Sequence, residues 1–269
     1  MDVSESDLVS LLKTLDTLKP YLEDIVIVGG WVPYLYRKYG AIPARHPSVR
    51  TGDIDIAVPN VVPDKGRTTI DELLSGAGYT TRIYGSNSGA VKYELDTPPT
   101  EIEFITPEIG KPKEESIAVQ SGLLAQPLRY LGILLDSTRQ ITITERLADL
   151  DFTAAVKVPT PAAFVFQKTL TSPLRRDKNK EAKDLYYIFD LLDSTPETRS
   201  QIPAEIKALV GNYPVTWFKT AISNLQKYFP KSGGEGPILV ATQYSGQMNS
   251  ETFLNYVQRI FNDMIELLQ

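Results

Sequence analysis

The chain has 269 residues, 28 Lys and Arg against 33 Asp and Glu, and a net charge of −5. That length holds one large domain or two modest ones, and the acidic balance argues against broad coating of nucleic acid while leaving room for a local basic patch. With no cysteine and a single histidine, His46, disulfide frameworks, thiolate zinc sites and multi-histidine metal sites are excluded.

The start, Met1-Asp2-Val3-Ser4-Glu5, is acidic, and no charge-free apolar run reaches bilayer length. The expected place is the cytoplasm, with no membrane partner. Residues 5–20 carry Leu8, Leu11, Leu12, Leu15 and Leu18 at helical spacing. Ile25-Val26-Ile27-Val28 reads as a short buried strand cut by Gly29-Gly30, and Trp31, Leu35 and Tyr39 mark the helix that follows. A loop from Gly40 to Gly52 holds Arg45, His46 and Arg50 and delivers the chain to Asp53-Ile54-Asp55-Ile56-Ala57-Val58. Alternation along that strand puts Asp53 and Asp55 on one face and Ile54 and Ile56 on the other.

Thr69 to Ala77 reads as a helix and Tyr79 to Tyr84 as a strand, with a turn over 85–89. Val91 to Leu95 and Ile102 to Ile105 are further strands around the Thr97-Pro98-Pro99-Thr100 turn, and Lys111 to Ser116 is a polar loop. Leu123 to Leu135 is apolar but interrupted by Pro127, and the pattern leaves helix and strand both open. Ile141 to Ile143 and Ala155 to Val158 close the first part as strands. From Thr160-Pro161, an N-cap followed by proline at the first helical position, helices take over: about 161–171, 180–193 and 203–210, then Trp217 to Tyr228 and a last one after Asn249 or Ser250. Lys231 to Gly236 reads as a flexible glycine-rich connection. The expected fold is α/β (α+β): a mixed β-sheet core with flanking helices over 1–158, then a mainly helical domain over 159–269.

Two carboxylates side by side on one strand face repel, and a divalent cation with hard oxygen ligands relieves them. Glu101 and Glu103 offer a third acid on a later strand, Glu103 within the more apolar run and Glu101 as its alternative. Such a set suits two-metal phosphoryl transfer, where cations clamp the attacking and leaving oxygens.

At these residues the chain resembles the nucleotidyltransferase superfamily with the polymerase-β-like core, whose pattern is strand, Gly-Gly or Gly-Ser, helix, then Asp-x-Asp opening a strand and a later third acid. Gly29, Gly30, Asp53, Asp55 and Glu103 match it. Among its branches the chain looks most like the AbiEii- and MenT-type toxin nucleotidyltransferases. That likeness rests on Val158-Pro159-Thr160-Pro161, Phe164-Val165-Phe166-Gln167-Lys168, the basic turn Arg175 to Lys180, and Lys183-Asp184-Leu185-Tyr186-Tyr187-Ile188, within a similarity spanning about 20–195. The resemblance implies a nucleotidyltransferase core with a cleft against the helical domain. It also implies Asp53, Asp55 and Glu103 as catalytic residues and ligands of Mg²⁺, two ions in number. Gly29 and Gly30 would bring backbone N–H groups to a triphosphate, with Thr51, Lys168, Arg175 and Lys183 in the same nucleotide-binding set, Lys180 beside them, and Asp184 holding one of the cations. The substrate would be an NTP, the acceptor a hydroxyl of RNA such as tRNA, of protein or of a small molecule, and an antitoxin a partner. Two departures stand out: Trp31, not serine or threonine, follows Gly30, and the gap from the diglycine to Asp53 is long.

Simpler readings apply to each piece. Asp-x-Asp alone is common at solvated strand ends, Lys168 could snorkel from an apolar helix, the run from Arg175 to Lys183 could be a solvated turn, His46 a plain loop residue, and Tyr186, Tyr187 and Trp217 packing. Haloacid-dehalogenase-like phosphatases and metal-dependent glycosyltransferases place their acids after an apolar strand, whereas here the apolar run follows them. A dinucleotide site lacks its third glycine. The rival that remains is a nucleotidyltransferase fold kept as a binding module, inactive or dependent on a partner.

Overall fold

The computed structural model describes residues 3–269 apart from 44, 47, 48, 50, 85–89, 111–114, 148, 149 and 232. The expected turn over 85–89, most of the polar loop at 111–116, and Arg50 therefore lie outside the described residues. The chain separates into two compact units, one of Asp2–Gly40 with Arg50–Pro159, the other of Ala41–Val49 with Thr160–Gln269.

In the first unit α1 (Glu5–Thr17) starts at Ser4, which forms a capping box with Asp7. Its leucines Leu8, Leu11, Leu12 and Leu15 are buried, and it packs on the strands β5 (Pro99–Pro107) and β9 (Leu150–Pro159). A seven-stranded mixed sheet runs in the order β1 (Val26–Val28), β2 (Asp53–Ala57), β5, β4 (Ala90–Asp96), β3 (Thr80–Tyr84). β2 and β5 are parallel and in register from Asp53–Glu101 to Ala57–Ile105, while β1 and β4 flank them antiparallel. From Ile105 on, β5 pairs with the parallel strand β7 (Leu123–Leu128), which carries β6 (Ile117–Gln120) on its far side. The apolar stretch with Pro127 thus resolves into both states: β7, then the short helix α4 (Gly132–Asp136). β6 was missed because four residues between turns carry too little alternation to stand out. β8 (Thr138–Leu147) and β9 form a long separate antiparallel ribbon of 10 residues a strand, well beyond the apolar centres at Ile141–Ile143 and Ala155–Val158.

Helices α2 (Trp31–Tyr39) and α3 (Ile70–Gly76) complete this unit, α3 capped by Thr69 and Glu72. The core lies under one face of the sheet, where Ile54, Ile56, Ile102 and Phe104 are buried. Val91 and Tyr93 of β4 point the same way.

The second unit is helical: α5 (Pro161–Thr171), α6 (Lys178–Leu192), α7 (Pro196–Leu209), α8 (Val215–Tyr228), α9 (Gly236–Gln243) and α10 (Ser250–Leu268). α5 is buried on all sides, with α6, α7 and α8 packed around it. α7 begins at Pro196 on the Thr195 cap, so Pro203, which read as a helix start, lies inside it. α9 starts at Gly236, where the expected connection ends, and the sequence gives no sign of it because its short apolar segment has no amphipathic stripe. α10 has the one-sided pattern expected, burying Phe253, Val257, Ile260, Phe261 and Met264. Loop residues Arg45 and His46 cluster with this unit, which sequence periodicity gave no means of seeing.

Candidate active site

Asp53 and Asp55 alternate with buried Ile54 and Ile56, so hydrophobic burial of the isoleucines is what presents both carboxylates on the opposite face. On β5 the same alternation buries Ile102 and Phe104 and leaves Glu101 and Glu103 half-buried. Parallel register then sets Asp53 across from Glu101 and Asp55 across from Glu103. Four carboxyl side chains therefore share one face of two adjacent strands. The third acid named from the sequence stands beside the Asp-x-Asp pair, and so does its alternative, Glu101.

The diglycine turn meets the same face. Val28, the last residue of β1, pairs with Asp55, and Gly29 follows with φ +68. A Cβ at Gly29 would stand 1.9 Å from Asp55 Oδ2. Only glycine combines that left-handed backbone with so close an approach of the carboxylate. Gly30 then serves as the N-cap of α2 with no side-chain cap, leaving the first turn of a helix presented without a capping hydroxyl. Trp31 fills the position where the departure from Gly-Ser was noted: it is buried, with its ring edge-on to Tyr34 at 5.6 Å. Thr51 donates its hydroxyl to the carbonyl of Asp53, at 3.4 Å.

One residue of this face was not read from the sequence. Lys92 of β4 alternates with buried Val91 and Tyr93 and places its ammonium on both glutamates, hydrogen-bonded to Glu101 and 2.9 Å from Glu103 Oε1. Burial pulls its pKa down, but the hydrogen bonds and charges of Glu101 and Glu103 outweigh that and hold it above the ordinary lysine value. The alternation Val91-Lys92-Tyr93-Glu94 would have put it on a polar face; which strand it faced was not legible. Beside Asp53 and Glu101 lies a cavity of about 620 Å³, lined also by Ser4, Tyr84, Glu94 and Asp96.

The donor set is all carboxylate oxygen, the chemistry that a hard cation such as Mg²⁺ requires. In side-chain placement, however, no three acidic or histidine residues converge as a metal cluster among the described residues, with Glu103 turned to Lys92. The residues suit such an ion in donor type and strand register.

The remaining candidates belong to the helical unit. Lys168 on α5 is buried, 2.5 Å from Asp184 Oδ1 of α6, with its ammonium over the rings of Phe164 and Tyr187 at 5.5 and 6.0 Å. Arg175 Nε reaches the other oxygen of Asp184 at 2.8 Å. Asp184 thus holds two of the named cations; Lys183, its neighbour, is half-buried. His46 Nε2 lies 2.8 Å from Asp193 Oδ2, its ring against Phe189 at 4.9 Å. Asp193, not singled out from the sequence, is fully buried and also receives Arg45, Arg199 and Tyr256. Tyr186 and Tyr187 are buried, and Trp217 stacks on Tyr213.

No helix among the described residues is long and apolar enough to cross a membrane. No curated protein matches the chain. A solved structure, the STING-associated CdnE c-di-GMP synthase from Capnocytophaga granulosa, aligns over 98% of this chain and 82% of its own with 11% identity and a TM-score of 0.28. A family model described as nucleotidyltransferase matches residues 6–208, from α1 through most of α7 and across every element described above as carrying the site, and the chain belongs to that family.

Proposed function

We propose that this nucleotidyltransferase moves a nucleoside monophosphate from a Mg²⁺-bound NTP to an acceptor hydroxyl, using the acidic face of β2 and β5. The observation that carries the reading is the register: Asp55 is opposite Glu103 and in contact range of Gly29, so acids and glycine turn occupy one place. Asp53, Asp55 and Glu103 would hold the metal, as two ions in the full site. When bound, Mg²⁺ supplies positive charge against the phosphate oxygens. Gly29 and Gly30 present backbone at the start of α2, where an anion is favoured. The acceptor oxygen attacks the α-phosphorus, the bond to the β-phosphate breaks, pyrophosphate leaves, and the acceptor proton passes to a carboxylate of the face, with Glu103 the candidate. The cavity next to Asp53 gives an acceptor room.

Within the family we place the chain with the AbiEii- and MenT-type toxins, on the Lys168 helix, the basic turn and the Lys183-Asp184 helix start. By that likeness Thr51, Lys168, Arg175 and Lys183 serve the triphosphate, RNA such as tRNA or protein is the acceptor class to test first, and an antitoxin is a partner to seek. Incubating the protein with each α-labelled NTP and Mg²⁺ against total RNA, small-molecule pools and its own chain tests the reading. Label transfer that Asp53→Asn abolishes supports it. No transfer to any acceptor, with Asp53→Asn indistinguishable from wild type, favours the second reading, a binding module or partner-dependent enzyme. One observation speaks for that second reading: Glu103 is engaged by Lys92.

A further inference from the structure

The acidic face has its own cation. Asp53, Asp55, Glu101 and Glu103 lie on two neighbouring strands in register, and like charges so placed repel. Lys92 enters from the third strand and spans both glutamates, its own strand position fixed by the burial of Val91 and Tyr93 on either side. Its ammonium also stands 5.6 Å from the ring centre of Tyr84 on β3. The side chains of Lys92, Glu101 and Glu103 are 22, 29 and 23% exposed. An ion pair this open contributes little to stability by itself, so its main effect is on where the glutamates point and what charge a second cation meets.

We propose that Lys92 is a positioning residue that occupies Glu103 in the metal-free protein and competes with the divalent cation for it. This rests on the metal-site reading above. In the absence of metal Lys92 keeps Glu103 folded over the sheet face and offsets the crowded negative charge. Metal entry exchanges one cation for the other at Glu103, and Lys92 retains Glu101. The exchange makes metal binding weaker than four carboxylates alone would give.

The test is Mn²⁺ alone, titrated into the full chain and followed by the electron paramagnetic resonance of free Mn²⁺. Wild type, Lys92→Met, Lys92→Arg, Arg82→Met and Asp55→Asn are compared. Arg82 is the control for bulk charge, since its partner is Glu94 at 3.0 Å rather than Glu101 or Glu103. Competition predicts Asp55-dependent binding about tenfold tighter in Lys92→Met, from loss of a unit charge beside the ligand. Lys92→Arg, which preserves the charge and grips carboxylates in a fork, should bind no tighter than wild type and keeps the test alive if Lys92→Met fails to fold. Arg82→Met should stay within about twofold of wild type. Asp55-dependent Mn²⁺ binding in wild type with no tightening in Lys92→Met, or with equal tightening in Arg82→Met or in Lys92→Arg, overturns the role of Lys92 and leaves the metal site standing. No Asp55-dependent binding in any of the proteins overturns the metal reading and this exchange with it. Binding that appears only in Lys92→Met supports the exchange in its strongest form.

Discussion

The protein holds carboxylates in two different ways, one enclosed by its partners and the other grouped on a sheet face. In the helical unit Asp193 has a fully buried side chain, and loop residues Arg45 and His46 together with Arg199 and Tyr256 of two helices all converge on it. Burying an ion is tolerable only with such a complete set of partners. On the sheet of the other unit, four acids share a face open to water, with Lys92 set against two of them. A buried carboxylate surrounded by donors is committed to the fold; carboxylates gathered in excess at a surface keep their binding capacity for something else.

If that division holds, neutralising acids in the two places gives opposite results. Asp53→Asn or Asp55→Asn should lower nucleotidyl transfer by at least about a thousandfold, the scale of losing a residue that acts on the transition state. The same variants should melt at or slightly above the wild-type temperature, since a repelling charge has gone. Activity and thermal melts on one preparation check both halves, and unfolding of either variant would break the distinction. Asp193→Asn should instead cost about 3–5 kcal/mol of stability in urea titration, the range for removing one partner of a buried charge cluster.

Gly29→Ala comes next at about 2–4 kcal/mol, from the left-handed backbone and the collision with Asp55. Transfer should fall with it, because the Asp55 carboxylate must move. A Gly29→Ala protein with full stability and activity would show that the glycine and the acid do not depend on each other.

The pH dependence follows from Asp193. Burial pushes its carboxyl up, but hydrogen bonds from His46 and Tyr256 and the charge of Arg45 outweigh it and hold it below the ordinary aspartate value. A carboxyl more acidic in the folded than in the unfolded chain stabilises the fold above the unfolded value, near 4, and that contribution disappears as pH falls through the folded value. Urea midpoints taken from about pH 6 down to about pH 3 should therefore drop more steeply in wild type than in Asp193→Asn. The smallest effect expected is for Thr160→Ala, about 1 kcal/mol for losing the hydroxyl that caps α5 at Ala163 N.

What the sequence made visible divides along the same line. Alternation at Asp53–Ile56 identified that strand and its faces, because burial of one face is written into every second residue, and Ile102–Ile105 was legible as a strand from its apolar run. The Thr160-Pro161 pair marked a helix start by the side chain that caps it, while the caps at Thr69 and Asn249 came from the structure. Pairing between strands leaves no local mark, so the parallel register of β2 with β5 and the reach of Lys92 from β4 came only from the structure. The same holds for Asp193: at the end of α6 it reads as an ordinary last-turn residue, and its importance comes from Arg45 and His46, some 150 residues earlier. Two short elements, β6 and α9, lacked any periodic signal and were invisible for that reason.

The central claim is that β2, β5 and the Gly29 turn come together to hold a nucleotide through a divalent ion. It is met most directly by equilibrium binding of a non-hydrolysable NTP analogue, with and without Mg²⁺, to wild type and to Asp55→Asn. Binding that requires Mg²⁺ in wild type and weakens by at least about tenfold in a variant that melts normally is the predicted result. Equal binding by the two proteins, or binding indifferent to Mg²⁺, would contradict it.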